Sequence, residues 1–244
     1  CLSLTQISIP SSVTSISDHA FNYCKSLMYI SIPSSVTSIG SYAFSKCLSL
    51  RHISIPSSVN SIGQSAFSEC SKLTQISIPS SITEIENYTF DRCSSLTHII
   101  IPSSVILIGY YAFSKCSSLT QISIPPSVTS IGNYAFSGCS RLTQITIPPS
   151  VTSIKSEVFS ECSSLTQITI PSSLAEIEIG AFASCTQLNN IIILPCKEER
   201  VQLFDDTFLI YKSKPENKMF DTLLWTKPTI TTATIPQFIK IIWY

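Results

Sequence analysis

The chain has 244 residues, and its fifteen basic and fifteen acidic side chains cancel to a formal net charge of zero. With 12% charged and 44% hydrophobic residues it has the composition of a folded core, which excludes a disordered chain and leaves no global field to draw in nucleic acid. No run of about 20 apolar residues escapes interruption by Pro or Ser, so no membrane-spanning helix is expected. Cys1 is not followed by a basic-then-apolar leader; the natural N-terminus is read as missing or processed, so it says nothing about compartment.

Nine of the ten cysteines, from Cys1 through Cys24 and Cys47 to Cys185, recur every 23 residues, and so do eight of the twelve phenylalanines, from Phe21 to Phe182. A strict period of this length is the mark of a solenoid. The coil Cys24–Lys46 shows how one period is built. Leu27, Ile30 and Ile32 alternate as a half-buried strand does, and Pro33, without an N–H, ends it. Ser34 and Ser35 make a turn, Val36 and Ile39 face inward again, and Gly40 supplies a permissive backbone for the next corner. A short helical or 3₁₀ turn then places Ala43 and Cys47 on one face, with Phe44 between them. Eight inward positions cannot enclose a core alone, so stacked coils must cover one another, and the phenylalanines then form one column.

After Cys185 the pattern changes. Leu188, Ile191 and Ile193 begin a ninth coil, but Pro195 arrives one residue late. Thr207–Tyr211 and Phe220–Trp225 read as two strands of a hairpin around Lys212–Lys218, and Thr234-Ile235-Pro236 with Ile239 and Ile242 restores the repeat. The expected division is therefore an array over 1–195, an inserted hairpin or cap over 196–232, and a further truncated repeat over 233–244.

The consensus L-x-x-I-x-I-P-S-S-V-T-S-I-G-x-x-A-F-x-x-C-x-S-L resembles the leucine-rich repeats of BspA-like surface proteins of bacteria and protozoa, over residues 1 to about 195. The resemblance implies a leucine-rich-repeat solenoid with parallel strands on one face. It also implies a cell-surface protein used in adhesion, with extracellular-matrix proteins such as fibronectin among the family's ligands. A structural stalk or spacer, and an intracellular protein-interaction scaffold, stand as alternatives.

Three outward slots line the strand face. They run Thr5, Met28, Arg51, Thr74 and on; Gln6, Tyr29, His52, Gln75, His98 and on; and Ser8, Ser31, Ser54, Ser77, Ile100 and on. The slots leave their own consensus mainly in coils two to five, which marks Met28, Tyr29, Arg51, His52, His98 and Ile100, with the consensus Gln75 among them, as a candidate patch for a protein or glycan ligand, against ordinary drift on a solvated sheet. The cysteines are expected as buried free thiols, Cys185–Cys196 being the one pair placed to form a bridge. Tyr42, Tyr88, Tyr111 and Tyr134 share a slot and read either as a strip for a partner or as packing over the phenylalanines. Asn87-Tyr88-Thr89 fits a glycosylation sequon whose threonine sits in a slot usually held by alanine. Glu84, Glu86 and Asp91 read as solvated turn charges. No catalytic constellation, phosphate loop or cofactor motif is present, and His52 and His98, two coils apart, cannot share a metal.

Overall fold

The computed structural model describes residues 3–178 and 180–195, and the backbone of Val201–Phe204, Phe208–Tyr211, Thr222–Thr226 and Lys240–Ile241. The typical 23-residue period forms one coil with two short strands and a run of turns. The first strands, Gln6–Ser8, Tyr29–Ser31, His52–Ser54, Gln75–Ser77 and His98–Ile100, make one parallel sheet in chain order. Gln6, Tyr29, His52, Gln75 and His98 are in register, one per rung. Gln144–Thr146, Gln167–Pro171 and Asn190–Leu194 form a second parallel sheet. Between the two, Gln121-Ile122-Ser123 is not a strand although it repeats the Gln75-Ile76-Ser77 tripeptide, and nothing in the local sequence explains the gap.

Inward slots fill one continuous core. In the coil Cys24–Lys46, Leu27, Ile30, Ile32, Val36, Ile39, Ala43 and Phe44 are buried, as the period predicts. The phenylalanine column is present: neighbouring rings from Phe21 to Phe182 stack with centroids 5.3–5.9 Å apart, and Phe44 to Phe159 are fully buried. The Pro-Ser-Ser corner has a specific function. Its second serine donates to the valine carbonyl of the preceding coil, as Ser35 Oγ does to Val13 at 2.7 Å and Ser58 Oγ to Val36 at 2.7 Å. The hydroxyl thereby satisfies a carbonyl that the corner turns out of the ladder.

The expected helical or 3₁₀ turn is not formed: among the described residues there is no helix. Tyr42 (φ 56°) and Lys46 (φ 61°) adopt the left-handed region, as do the residues at the same two slots from His19 and Tyr23 to Gly180 and Ser184. That reversal prevents continuous right-handed curl. Amides instead alternate. Ala43, Ser45 and Cys47 bond within the coil to Gly40, Tyr42 and Phe44, whereas Tyr42, Phe44 and Lys46 donate to Gln64, Ala66 and Ser68 of the next coil. The turn side is thus a second intercoil ladder.

Gly40 also differs from its expected role, since its φ is not positive. It is required by close approach: a Cβ there would lie 2.5 Å from the Asp18 nitrogen, and one at Gly109 2.7 Å from the Asn87 nitrogen. The second strands confirm the point. Ser15–Ile16, Ser38–Ile39 and Ser61–Ile62 pair, as do Glu84–Ile85, Leu107–Ile108 and Ser130–Ile131, and then Ser153–Ile154 with Glu176–Ile177. The two breaks fall where Glu86 and Lys155 replace the glycine of the incoming coil. A small cavity lined by Ile62, Ile82, Glu86 and Phe90 lies at the first. Glu178 also replaces glycine yet keeps its bond to Ile154, with its carboxylate holding Lys155 Nζ at 2.8 Å and the Ser156 amide at 3.0 Å.

Cys47 to Cys185 are buried free thiols. Each donates to the carbonyl of the phenylalanine 26 residues before it, at 3.0–3.2 Å. Cys185 is one of these free thiols, donating to the Phe159 carbonyl at 3.0 Å, while Cys196, the partner suggested for it, lies outside the described residues. Farther on, Val201–Phe204, Phe208–Tyr211 and Thr222–Thr226 pair antiparallel in order, and Lys240–Ile241 pairs parallel with Thr222–Thr226. The first of these strands was not anticipated. The connection Lys212–Lys218 and the junctions at 196 and 232–233 lie outside the described residues.

Candidate functional site

The side chains of the strand face stand on backbone that the ladder fixes. Met28 N–H donates to Thr5 at 2.8 Å, and Thr74 N–H to Arg51 at 3.2 Å. Successive residues of a strand face opposite ways, so Ile30, Ile53, Ile76 and Ile99 fill the core while their neighbours point out. All seven candidate residues are exposed on this face: Tyr29 by 52%, Met28 by 39% and Ile100 by 67%, with Arg51, His52, Gln75 and His98 alongside. Tyr29, His52, Gln75 and His98 occupy four adjacent rungs, and Ile100 stands beside Ser77.

An open groove of about 620 Å³ runs over these rungs, lined by Tyr29, His52, Gln75, His98 and Ile100 with Ser54 and Ser77. A second, of about 640 Å³, continues from His98 and Ile100 over Gln121, Ser123, Gln144 and Thr146, across the gap in the sheet. Met28 and Arg51 flank the first groove without lining it. The surface offers amide and imidazole hydrogen-bonding groups, an aromatic ring and an isolated apolar branch. At these three slots Arg51 is the single charge through coil eight.

The other candidates resolve differently. Tyr88, Tyr111 and Tyr134 stack on one another at 4.9 and 4.5 Å, and Tyr42 stacks on His19 at 4.8 Å, with Ser65 separating the two groups. Their faces are spent on each other rather than presented as a strip. Thr89 of the sequon is buried and donates to the Glu86 carbonyl at 2.7 Å, while Asn87 Oδ1 accepts from the Tyr110 amide at 2.8 Å. Asp91 is no solvated turn charge: its side chain is 14% exposed, it fills a slot held by buried serines in other coils, and burial pushes its carboxyl up. What sequence reading missed is an apolar departure on the second strands, Ile106-Leu107 with Tyr110, where most other coils carry Thr-Ser and a polar residue. The signal was present in the same slot comparison that flagged the strand face.

The fold and its open parallel face define a leucine-rich-repeat solenoid. A profile for the BspA type leucine rich repeat region matches six copies over residues 1–120 and 107–211. The chain belongs to the BspA-type leucine-rich-repeat family. Among solved structures it is similar to a leucine rich cell surface protein from Faecalibacterium prausnitzii, at 33% identity and a TM-score of 0.55 over 81% of this chain and 62% of that one. It is also similar to the T. pallidum leucine rich repeat protein (27% identity, TM-score 0.52, 75% and 78% covered). A leucine-rich repeat protein from Bacteroides ovatus gives 26% identity and a TM-score of 0.50, over 80% and 69%. The chain thus spans under two thirds of the Faecalibacterium structure's length. No curated protein matches it. Among the described residues no helix is long and apolar enough to cross a membrane.

Proposed function

We propose that this chain is a non-enzymatic recognition module, exposed at a cell surface or outside the cell, that binds a protein or glycan through its strand face. The observation that carries this is the convergence of Met28, Tyr29, Arg51, His52, His98 and Ile100, where other coils carry Thr, Gln and Ser, with Gln75 between the two histidines, on adjacent rungs of one sheet around a groove. Rigid rungs hold these groups before the ligand arrives, so little ordering entropy is lost on binding. Repeat proteins of this family are typically non-enzymatic, and the description of the Faecalibacterium relative as a cell surface protein supports the location. Extracellular-matrix proteins are the ligand class to try first.

The test replaces four of these residues by those of neighbouring coils (Tyr29→Gln, Arg51→Thr, His52→Gln, Ile100→Ser), which the fold already accommodates at the same slots. Immobilised fibronectin and a glycan array are the probes. The proposal expects a ligand whose affinity falls at least about tenfold in the variant, the loss of one or more hot-spot contacts. It also expects weak salt dependence, because the face carries one charge. Equal binding by both proteins, or binding by neither, contradicts it.

A further inference from the structure

The zero net charge conceals a division across the coil. On the second-strand face and the corner after it stand Asp18, Glu84, Glu86, Glu176 and Glu178 against a single base, Lys155, which Glu176 and Glu178 hold at 3.6 and 2.8 Å. Bases prevail at the opposite corner, beside the buried cysteines: Lys25, Lys46, Lys72, Arg92, Lys115 and Arg141, against Glu69, Asp91 and Glu161. Each region also bears exposed hydrocarbon. Ile106 and Tyr110 are each 51% exposed on the acidic face, and Leu107 of the same coil pairs in register with Glu84. Neither Glu84 nor Glu86 has an ion-pair partner among the described residues. At the basic corner a groove of about 500 Å³ is lined at its centre by Arg92 and Lys115, with Leu48 beside them and Glu69 and Glu161 on its outer coils, and is widened where Gly138 takes a slot that carries long side chains in most coils.

We propose that copies of this chain associate side by side, the Ile106–Tyr110 patch with Glu84 and Glu86 of one copy seating in the Arg92–Lys115 groove of the next. The patch lies on coils four and five, the coils that also carry Arg92 and Lys115, so with parallel axes the Glu84 and Glu86 coil of one copy comes opposite the two central cations of the next, and Ile106 and Tyr110 fall beside the space over Gly138. The patch does not pair with its own image, because a two-fold contact would bring unpaired carboxylates together. The contact is therefore heterologous, and it adds copies rather than closing a dimer. A net charge near zero leaves no overall repulsion against it.

Sedimentation velocity of the full chain tests this, up to concentrations of about 500 μM because the contact is small. One variant, Ile106→Thr with Tyr110→Ser, loses the patch; another, Arg92→Ser with Lys115→Ser, loses the groove. Every replacement is a residue that another coil carries at that slot, so both variants keep the fold. The unmodified chain is expected to form a concentration-dependent series that shrinks with added salt, and each variant alone to stay monomeric. Mixed together, the two variants should form dimers and nothing larger, since each retains one competent surface. Monomers at every concentration of the unmodified chain, association that survives in both variants (as stacking of open coil edges would), or a mixture without dimers would each overturn the proposal. Tyr29→Gln with Arg51→Thr, on the strand face, should leave association unchanged, which separates this contact from ligand binding.

Discussion

Mild alkali should unfold this array while its own thiols are still protonated. Burial pushes the thiols of Cys47, Cys139 and Cys185 up to about 12, and those of Cys70, Cys93, Cys116 and Cys162 are raised by burial as well. In the unfolded chain a thiol ionises near 8.5. Above that pH the unfolded state releases protons that the native state retains, so stability is intact below about 8.5 and falls as pH rises towards the native values. Each thiol then removes about 1.4 kcal/mol per pH unit. Seven thiols unfolding together would remove about 10 kcal/mol by pH 9.5, comparable with the whole stability of an ordinary domain. Urea melts followed by circular dichroism between pH 7 and 10, with a reductant present, read the effect directly. Cys93→Ala with Cys116→Ala should weaken the dependence by two sevenths. A midpoint that stays level from pH 7.5 to 9.5 would refute the reasoning. A dependence of one or two thiols would show instead that coils open from the ends, a few at a time.

Phe113→Ala should cost about 3–5 kcal/mol, because the ring is fully buried between Phe90 and Phe136 and leaves a cavity; equilibrium denaturation measures it, and a loss below 1 kcal/mol would deny the column its role. Gly109→Ala should cost about 1–3 kcal/mol and speed hydrogen exchange at the residue 109 amide, whose bond to Ile85 at 2.8 Å a Cβ would prise open. Asp91→Ser should stabilise the protein at neutral pH, since burial raises the native carboxyl above its unfolded value. For that one group stability is greatest below the unfolded value near 3.9 and falls as pH rises through the native one, so the variant's pH profile should be flatter over that window.

Much of this was legible in one sequence because repetition supplies its own comparison. The 23-residue step located the strands, the inward slots, the phenylalanine column and the buried thiols, since a stack has to repeat its core at every rung. The turn side was not legible. Ala43 and Cys47 at a spacing of four suggested a helical turn, but Tyr42 and Lys46 are left-handed, a conformation announced only by Gly180 and Gly138, the single glycines at those two slots. Gly40 was correctly singled out, for the wrong reason: contact with the coil below, which a single period does not contain, is what forbids a Cβ. Asp91 read as solvated because charge in a turn usually is, although the serines at its slot in other coils are buried. On the strand face the slot comparison marked the side chains, and the parallel register put them on neighbouring rungs.

The central claim is that each coil completes the core of its neighbours, which sets the evenly spaced face on which the proposed recognition depends. A crystal structure of this chain tests it most directly. The account predicts Phe67, Phe90 and Phe113 in one column with ring centroids 5.7 and 5.4 Å apart and Tyr29, His52 and Gln75 side by side on the opposite strand face. Rings dispersed among separate cores, or strands joined in another order, would contradict it.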